Sequence, residues 1–319
     1  MSEAYLPADP VVDDDRLRLI FLCCHPALPR DGQIALTLRM VCGMRTADIA
    51  ALFLVPETTM ATRIALARQA STGLPFEMPP ASALPDRVDA VLTVLHLLFT
   101  AGHTAPSSDT LTREDLAGQA VGLARALHAL MPDEREVGGL LALLLLTHAR
   151  RATRTDADGR LLLLDEQDRS RWDRATIAQG YRLVVHALRA GPPGRFALQA
   201  AIAALHATAP TYADTDWEQL LDRYDQLLVV WPSPVVALNR TVVVAMVDGV
   251  AAALVALTAL ERDPNLARSH YLPSVKADFL RRLGRYPEAV AAYRVAAGRT
   301  GNRAEREFLA GRIAECQAC

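Results

Sequence analysis

From residue 87 onward the chain is a run of helix-length segments in which apolar residues recur three and four apart. Breaks cut it near 102–108, 131–132, 156–159, 191–194, 210–214, 232–234, 248–249, 264 and 284, mostly at glycine, proline or aspartate. Spacing of three and four lines one face of a 3.6-residue helix, whereas a half-buried strand needs strict alternation. No strand-length alternating segment competes with the helical pattern, so the chain reads as all-α. Composition agrees, because 51% of residues are apolar and only 5% aromatic, a balance that suits Ala/Leu-rich helices better than sheets. The basic residues are almost all arginine, with Lys276 the only lysine, which reads as coding bias rather than function.

The formal net charge of −2 means that the whole chain is no electrostatic sponge for nucleic acid. Residues 16–75 differ, with seven arginines (16, 18, 30, 39, 45, 63 and 68) against Asp31, Asp48 and Glu57. Residues 1–15 carry three consecutive acids and two prolines and read as a disordered leader or linker. They lack the apolar core of a signal peptide, and the most apolar run, Leu140 to Leu146, is far short of the ~20 residues of a membrane span. Five cysteines, an odd number in a chain of this size, suit reduced thiols. A cytoplasmic chain with no membrane partner is expected.

Residues 16–75 hold four helical segments. Leu17, Ile20 and Phe21 mark the first, which Pro26 and Pro29 end, and a second covers Ile34 to Val41 before Gly43. A short third helix opens at Thr46 as N-cap and ends near Leu54. Pro56 is placed as first residue of the fourth, which runs to about Ala70. Residues 71–86 contain four prolines and a glycine, and 76–86 is taken as a linker to a helical extension over 87–319.

The stretch TADIAALFLVPETTMATRIALAR (46–68) has the layout of a helix-turn-helix. Ile49, Ala50, Val55, Met60 and Ile64 would close its core. Its second helix would enter the major groove, with Thr58, Thr59, Thr62 and Arg63 offering base or backbone contacts and Arg68 a phosphate contact. Arg45 would hold the backbone before the first helix of the motif. An ordinary helical hairpin with a polar face fits the same spacing.

The last hundred residues repeat. Tyr224 lies eight before Pro232, Tyr293 lies eight before Gly301, and the two pairs stand 69 apart, close to twice a 34-residue period. Within LGRYPEAVAAY (283–293), Gly284 is expected to turn the chain, Ala289 to sit where helices approach, and Tyr293 to pack into the next unit. Tetratricopeptide-like stacking is the expectation, with generic helical hairpins the alternative.

VPETTMATRIALAR (55–68) resembles the recognition helix of the −35-reading domain of sigma factors. DDRLRLIFLCCHPAL (14–28), DEQDRSRWD (165–173), LQAAIAALHA (198–207), DTDWEQLLDRYD (214–225) and PSPVVALNR (232–240) extend the likeness across the chain. It resembles extracytoplasmic-function sigma factors of the sigma-70 class that carry a long helical C-terminal extension. The resemblance implies promoter DNA and the RNA polymerase core as partners and no cofactor. In that family a −10-reading domain precedes the equivalent of DDRLRLIF, and this chain starts at that linker. It is therefore expected not to melt promoters alone, and to be either a split or truncated member of the family, with a separate regulator or sigma domain as partner, or a stand-alone regulator derived from one. The recognition helix is also poorer in positive charge than the family pattern, and LFTAGH (98–103) replaces an Asn-Glu-Gly-Tyr element.

Other constellations have plainer readings. Cys23, Cys24, His25 and Cys42, with Cys316 and Cys319, suggest zinc only weakly, because adjacent helical cysteines point about 100° apart and zinc needs convergent ligands. Small packed side chains account for them better. No glycine-rich phosphate loop, nucleophile elbow or carboxylate pair appears, so no enzyme is expected. In DEQDRSRWD, Arg169, Arg171 and Trp172 are candidates for protein docking, while an internal salt-bridge network anchored by Trp172 is the favoured alternative. Two functions are carried forward: a sigma-like transcription regulator, and a protein-interaction scaffold with a relic helix-turn-helix.

Overall fold

The computed structural model describes residues 14–75, 77–189 and 191–318. The expected disordered leader lies outside the described residues except for Asp14 and Asp15, which begin a helix. Within the described residues there are fifteen α-helices and three 3-10 turns. The one extended pairing among them is an isolated antiparallel bridge, Thr155 to Leu161.

Helices α1 (Asp15–Cys23), α2 (Arg30–Met40), α3 (Thr46–Leu52) and α4 (Glu57–Ser71) form the N-terminal part. Next come α5 (Pro85–His103), α6 (Glu114–Leu130) and α7 (Arg135–His148), then α8 (Arg174–Arg189) and α9 (Arg195–Thr208). The C-terminal part holds α10 (Trp217–Val230), α11 (Pro234–Val247), α12 (Val250–Leu260), α13 (Tyr271–Arg282), α14 (Tyr286–Arg299) and α15 (Arg303–Ala318).

Local chemistry sets several of the ends. The Asp14 carboxylate accepts from the Leu17 amide at 2.9 Å, and Asp216 accepts from Gln219 at 2.9 Å, each satisfying an amide that the first helical turn leaves orphaned. Helix α9 is capped from outside. Glu136 on α7 accepts from the amides of Phe196 at 2.8 Å and Ala197 at 3.1 Å. A side chain at Gly194 would collide with that carboxylate, and a Cβ at Gly139 would lie 2.6 Å from the Ala197 nitrogen, so both glycines let α7 and α9 meet backbone to backbone.

The main core takes Leu17, Ile20 and Phe21 from α1, Leu38 from α2, Ile49 from α3 and Met60 from α4. It continues without a break into Val91, Leu95 and Leu98 of α5, Leu127 of α6, Leu140 and Leu144 of α7, and Phe196. Segment 76–86 therefore joins two parts of one core. Arg30 and Arg195 both pair with Asp89, tying α2, α5 and α9 together at the surface.

Helical hairpins make up the C-terminal part, where α10 packs on α11, α11 on α12, α13 on α14 and α14 on α15. Gly284 adopts φ +72° in the turn before α14, Ala289 is fully buried, and Tyr293 packs among Ala277, Leu280 and Leu309. The last hairpin folds back on the middle of the chain. Asn302 donates from Nδ2 to the carbonyls of Ala105 and Thr110, both at 2.9 Å, and the Arg303 amide donates to Ser108 O at 3.0 Å.

Residues 149–173 depart most from the expected helices, running as loop and 3-10 turns rather than breaking only at 156–159. Here the docking assignment of Arg169 and Trp172 is corrected. Trp172 is 3% exposed and Arg169 is 9% exposed, so both face inward, and only Arg171 stays exposed. The Trp172 indole donates to Thr153 Oγ1 at 2.8 Å. Arg169 lies over the Trp172 ring at 4.6 Å and donates to the carbonyls of His206 (2.7 Å) and Ala209 (2.8 Å). The expected acid–arginine network is replaced by arginine–carbonyl bonds, because the helix ends around this loop offer unpaired carbonyls.

Candidate nucleic-acid interface

Helices α3 and α4 are joined by a turn over Phe53–Pro56, and the chain bends through 105° between them. That falls within the range expected of a helix-turn-helix. The Val55 amide donates to Ala50 O at 3.0 Å, closing the turn. Leu54 has φ +56°, the one positive value among the described non-glycine residues. A left-handed leucine costs ~1–2 kcal/mol, which its packing must offset. Leu54 does pack, against the core formed by α11–α13 with Leu257 and Phe279, so the turn is buttressed by the C-terminal part.

Pro56 has ψ 147° and serves as N-cap, so α4 begins at Glu57, one residue after the expected start. Thr46 is likewise the first residue of α3, with Arg45 as its N-cap. Ile49, Ala50 and Met60 are buried, and Val55 and Ile64 are half-buried against the same core. The motif's expected interior is thus its interior in the fold.

The polar face divides in two. Thr58, Thr59 and Thr62 are exposed on α4, and the Thr62 hydroxyl donates to Thr58 O at 3.0 Å. Arg68 is also exposed and forms no ion pair among the described residues. The other two arginines are engaged. Arg63 Nη1 lies 2.8 Å from Asp31 Oδ2, with the guanidinium over the Phe53 ring at 5.8 Å.

Arg45, expected to contact the DNA backbone, grips a loop within the chain. It forms a fork with Asp48 at 2.9 and 3.0 Å and donates to Ser107 Oγ at 2.6 Å, and Ser107 donates in turn to Asp48 Oδ1 at 2.6 Å. The bond to Asp48 and its charge push the Arg45 pKa up. Arg45 therefore clamps the 104–113 loop to the helix-turn-helix.

Sequence reasoning missed Asp31, Ser107, Leu66 and Gln69. Leu66, 62% exposed, and Gln69 extend the Thr58–Thr62 face along α4 and line an open groove of about 780 Å³ with Asp31, Arg63 and Pro29. The three-and-four spacing from Thr58 through Thr62 to Leu66 and Gln69 was available in the sequence. Asp31 and Ser107 carried no local signal, because their partners are far away in the chain.

Burial raises the thiol pKa of Cys24 and Cys42 to about 12, which favours the protonated thiol over the nucleophilic thiolate. Among the described residues no group of three or more His, Cys, Asp or Glu is placed to hold a metal ion, and no single helix is long and apolar enough to cross a membrane.

Comparison with known proteins adds the following. The family "Sigma-70, region 4" matches residues 18–70, which span α1 to α4. The "Family of unknown function (DUF6596)" matches residues 87–188, from α5 to α8. The chain is 42% identical over 298 residues to "Uncharacterized protein R00370" of Rhizobium meliloti (strain 1021), an alignment covering 93% of this chain and 70% of that protein.

Proposed function

We propose that this chain, which belongs to the sigma-70-related family of R00370, is a sigma-factor-like transcription regulator that reads promoter DNA through α4. The observation that carries the reading is the coincidence of a sigma-70 region 4 match with a bent helix pair whose second helix exposes Thr58, Thr59, Thr62 and Arg68. Hydroxyls of this kind bond phosphates or base edges, and Arg68 supplies a mobile charge for the backbone. The helical extension, read as tetratricopeptide-like, would engage the RNA polymerase core or a separately encoded regulator.

A second reading has its own support. Asp31 and Asp48 neutralise Arg63 and Arg45, which leaves the reading face short of cations. That favours a scaffold in which the hairpins bind protein and the helix-turn-helix is a relic. Binding to promoter duplexes across a salt series decides between them, beside scrambled duplexes and a Thr58→Ala/Thr62→Ala/Arg68→Ala variant. Sequence-preferring, salt-sensitive binding that the variant loses supports the DNA reader. Equal binding to both duplexes, or none, leaves the scaffold.

A further inference from the structure

The loop that follows α7 and the helix α15 enclose an open groove of about 830 Å³. The loop wall is fixed by its own backbone. The Leu162 amide donates to Arg154 O at 2.9 Å and the Asp156 amide to Arg160 O at 3.0 Å, on either side of the Thr155–Leu161 bridge. Glu307, Phe308, Gly311, Arg312 and Glu315 form the opposite wall, and their spacing of one, four, five and eight puts them on one face of α15. Eight steps of ~1.5 Å make that face about 12 Å long.

Apolar side chains line the groove between these walls. Leu161, Leu162 and Phe308 are half-buried, and a Cβ at Gly311 would meet no atom within 4 Å, so α15 leaves open space where a side chain would stand. The Arg312 guanidinium lies over the Phe308 ring at 5.1 Å and reaches Glu315 at 2.9 Å and Glu166 at 3.9 Å, which joins the two walls.

Around the apolar lining the charge is acidic. Asp156, Asp158, Glu166, Glu307 and Glu315 line the groove against Arg160 and Arg312. Asp158 is exposed and forms no ion pair among the described residues. Glu307 pairs with Arg303, which does not line the groove, and both side chains are more than half exposed. Such a pair yields readily to a competing cation. Half-exposed leucines and a phenylalanine gain by leaving water, and the acidic rim selects what covers them. Nucleic acid is repelled here and basic segments are drawn in.

We propose that this groove docks a basic amphipathic helix of a partner protein. Its apolar face, anchored at the spacing of three, four and seven, lies on Leu161, Leu162 and Phe308, and its lysines or arginines meet Asp158 on the loop and Glu307 on α15. The open space at Gly311 lets the two helices approach closely. The site adds to the protein-binding role given to the extension and does not rest on DNA reading by α4, so a failure here leaves the promoter test untouched.

The test is fluorescence anisotropy of a labelled peptide, KLAKLLKKLAKL, titrated with the full chain. Saturable binding that weakens with added salt is expected. The same peptide with glutamate for lysine, or with serine for leucine, is expected to bind about tenfold more weakly or worse. The same loss is expected in Asp158→Lys/Glu307→Lys, which reverses the rim, and in Gly311→Trp, which fills the groove. Asp222→Lys, at an exposed acid of α10 outside the groove, is expected to bind as wild type does. Absence of saturable binding in wild type, equal binding of the serine peptide, or undiminished binding in Asp158→Lys/Glu307→Lys overturns the proposal. Should Gly311→Trp melt below wild type, the exposed double variant decides alone.

Discussion

Arg63 on α4 is bound to Asp31 on α2, with Nη1 2.8 Å from Oδ2, so the arginine at the centre of the second helix of the motif is held by a neighbour. The pair is partly exposed, at 29% and 55% of the two side chains, and such pairs contribute only ~0–1 kcal/mol. A DNA phosphate can therefore compete for Arg63. Asp31→Asn is expected to raise affinity for duplex DNA several-fold and to steepen its salt dependence by about one phosphate contact, with little change in stability. Fluorescence anisotropy across a salt series checks this, and unchanged slope and affinity would show that Arg63 never meets DNA.

The Arg45–Asp48–Ser107 cluster makes a local prediction. Ser107→Ala removes one donor and one acceptor from it and is expected to cost ~1 kcal/mol. Hydrogen exchange should then quicken in residues 104–113 and at the start of α3 while α8 and α9 stay protected. Uniform loss of protection would mean that the cluster does not clamp this loop in particular.

Glu136 tests how α7 and α9 are joined. Glu136→Ala strips two amides of their acceptor at the start of α9, and caps of this kind are worth ~0.5–2 kcal/mol. Urea unfolding is expected to show that loss, with Glu136→Gln falling between the variant and wild type. Equal stability of all three would mean that the Glu136 contacts contribute nothing.

Acidification should weaken the fold through its buried histidines. Burial lowers His96 and His206 to about 4, with the charges of nearby arginines adding to it. The unfolded chain takes up these protons near the usual imidazole value, whereas the folded chain resists them. Stability is therefore full above about pH 6.5 and falls as pH drops toward 4, by at most about 1.4 kcal/mol per pH unit for each histidine. Thermal melts between pH 7 and pH 4.5 read this, and His96→Gln should flatten the dependence.

Much of this was legible in the sequence because it follows from local spacing. Ile49, Ala50, Val55, Met60 and Ile64 recur at helical intervals, and the helix-turn-helix interior follows from them alone. Gly284 and Ala289 sit where a turn and a close helix approach need them. What could not be read is pairing across distance. Arg63 looks like a free surface arginine until Asp31, 32 residues earlier, is brought beside it. DEQDRSRWD promises acid–arginine pairs around a buried Trp172, and Trp172 is buried, but helix-end carbonyls rather than carboxylates satisfy the buried Arg169. Leu54 gives no sign in sequence that a distant helical hairpin covers it.

Asn302 bonds to Ala105 across 197 residues of chain, and the loop it fastens is the one that grips Arg45. A ribosome releases the N-terminal helices long before α15. The helix-turn-helix can assemble early from its own contacts, but the loop that steadies it waits for Asn302 to emerge. Contacts this far apart are the slowest to form. The helix-turn-helix of a nascent chain is therefore less constrained until the segment around Asn302 has emerged, and that emergence is itself a step in its maturation.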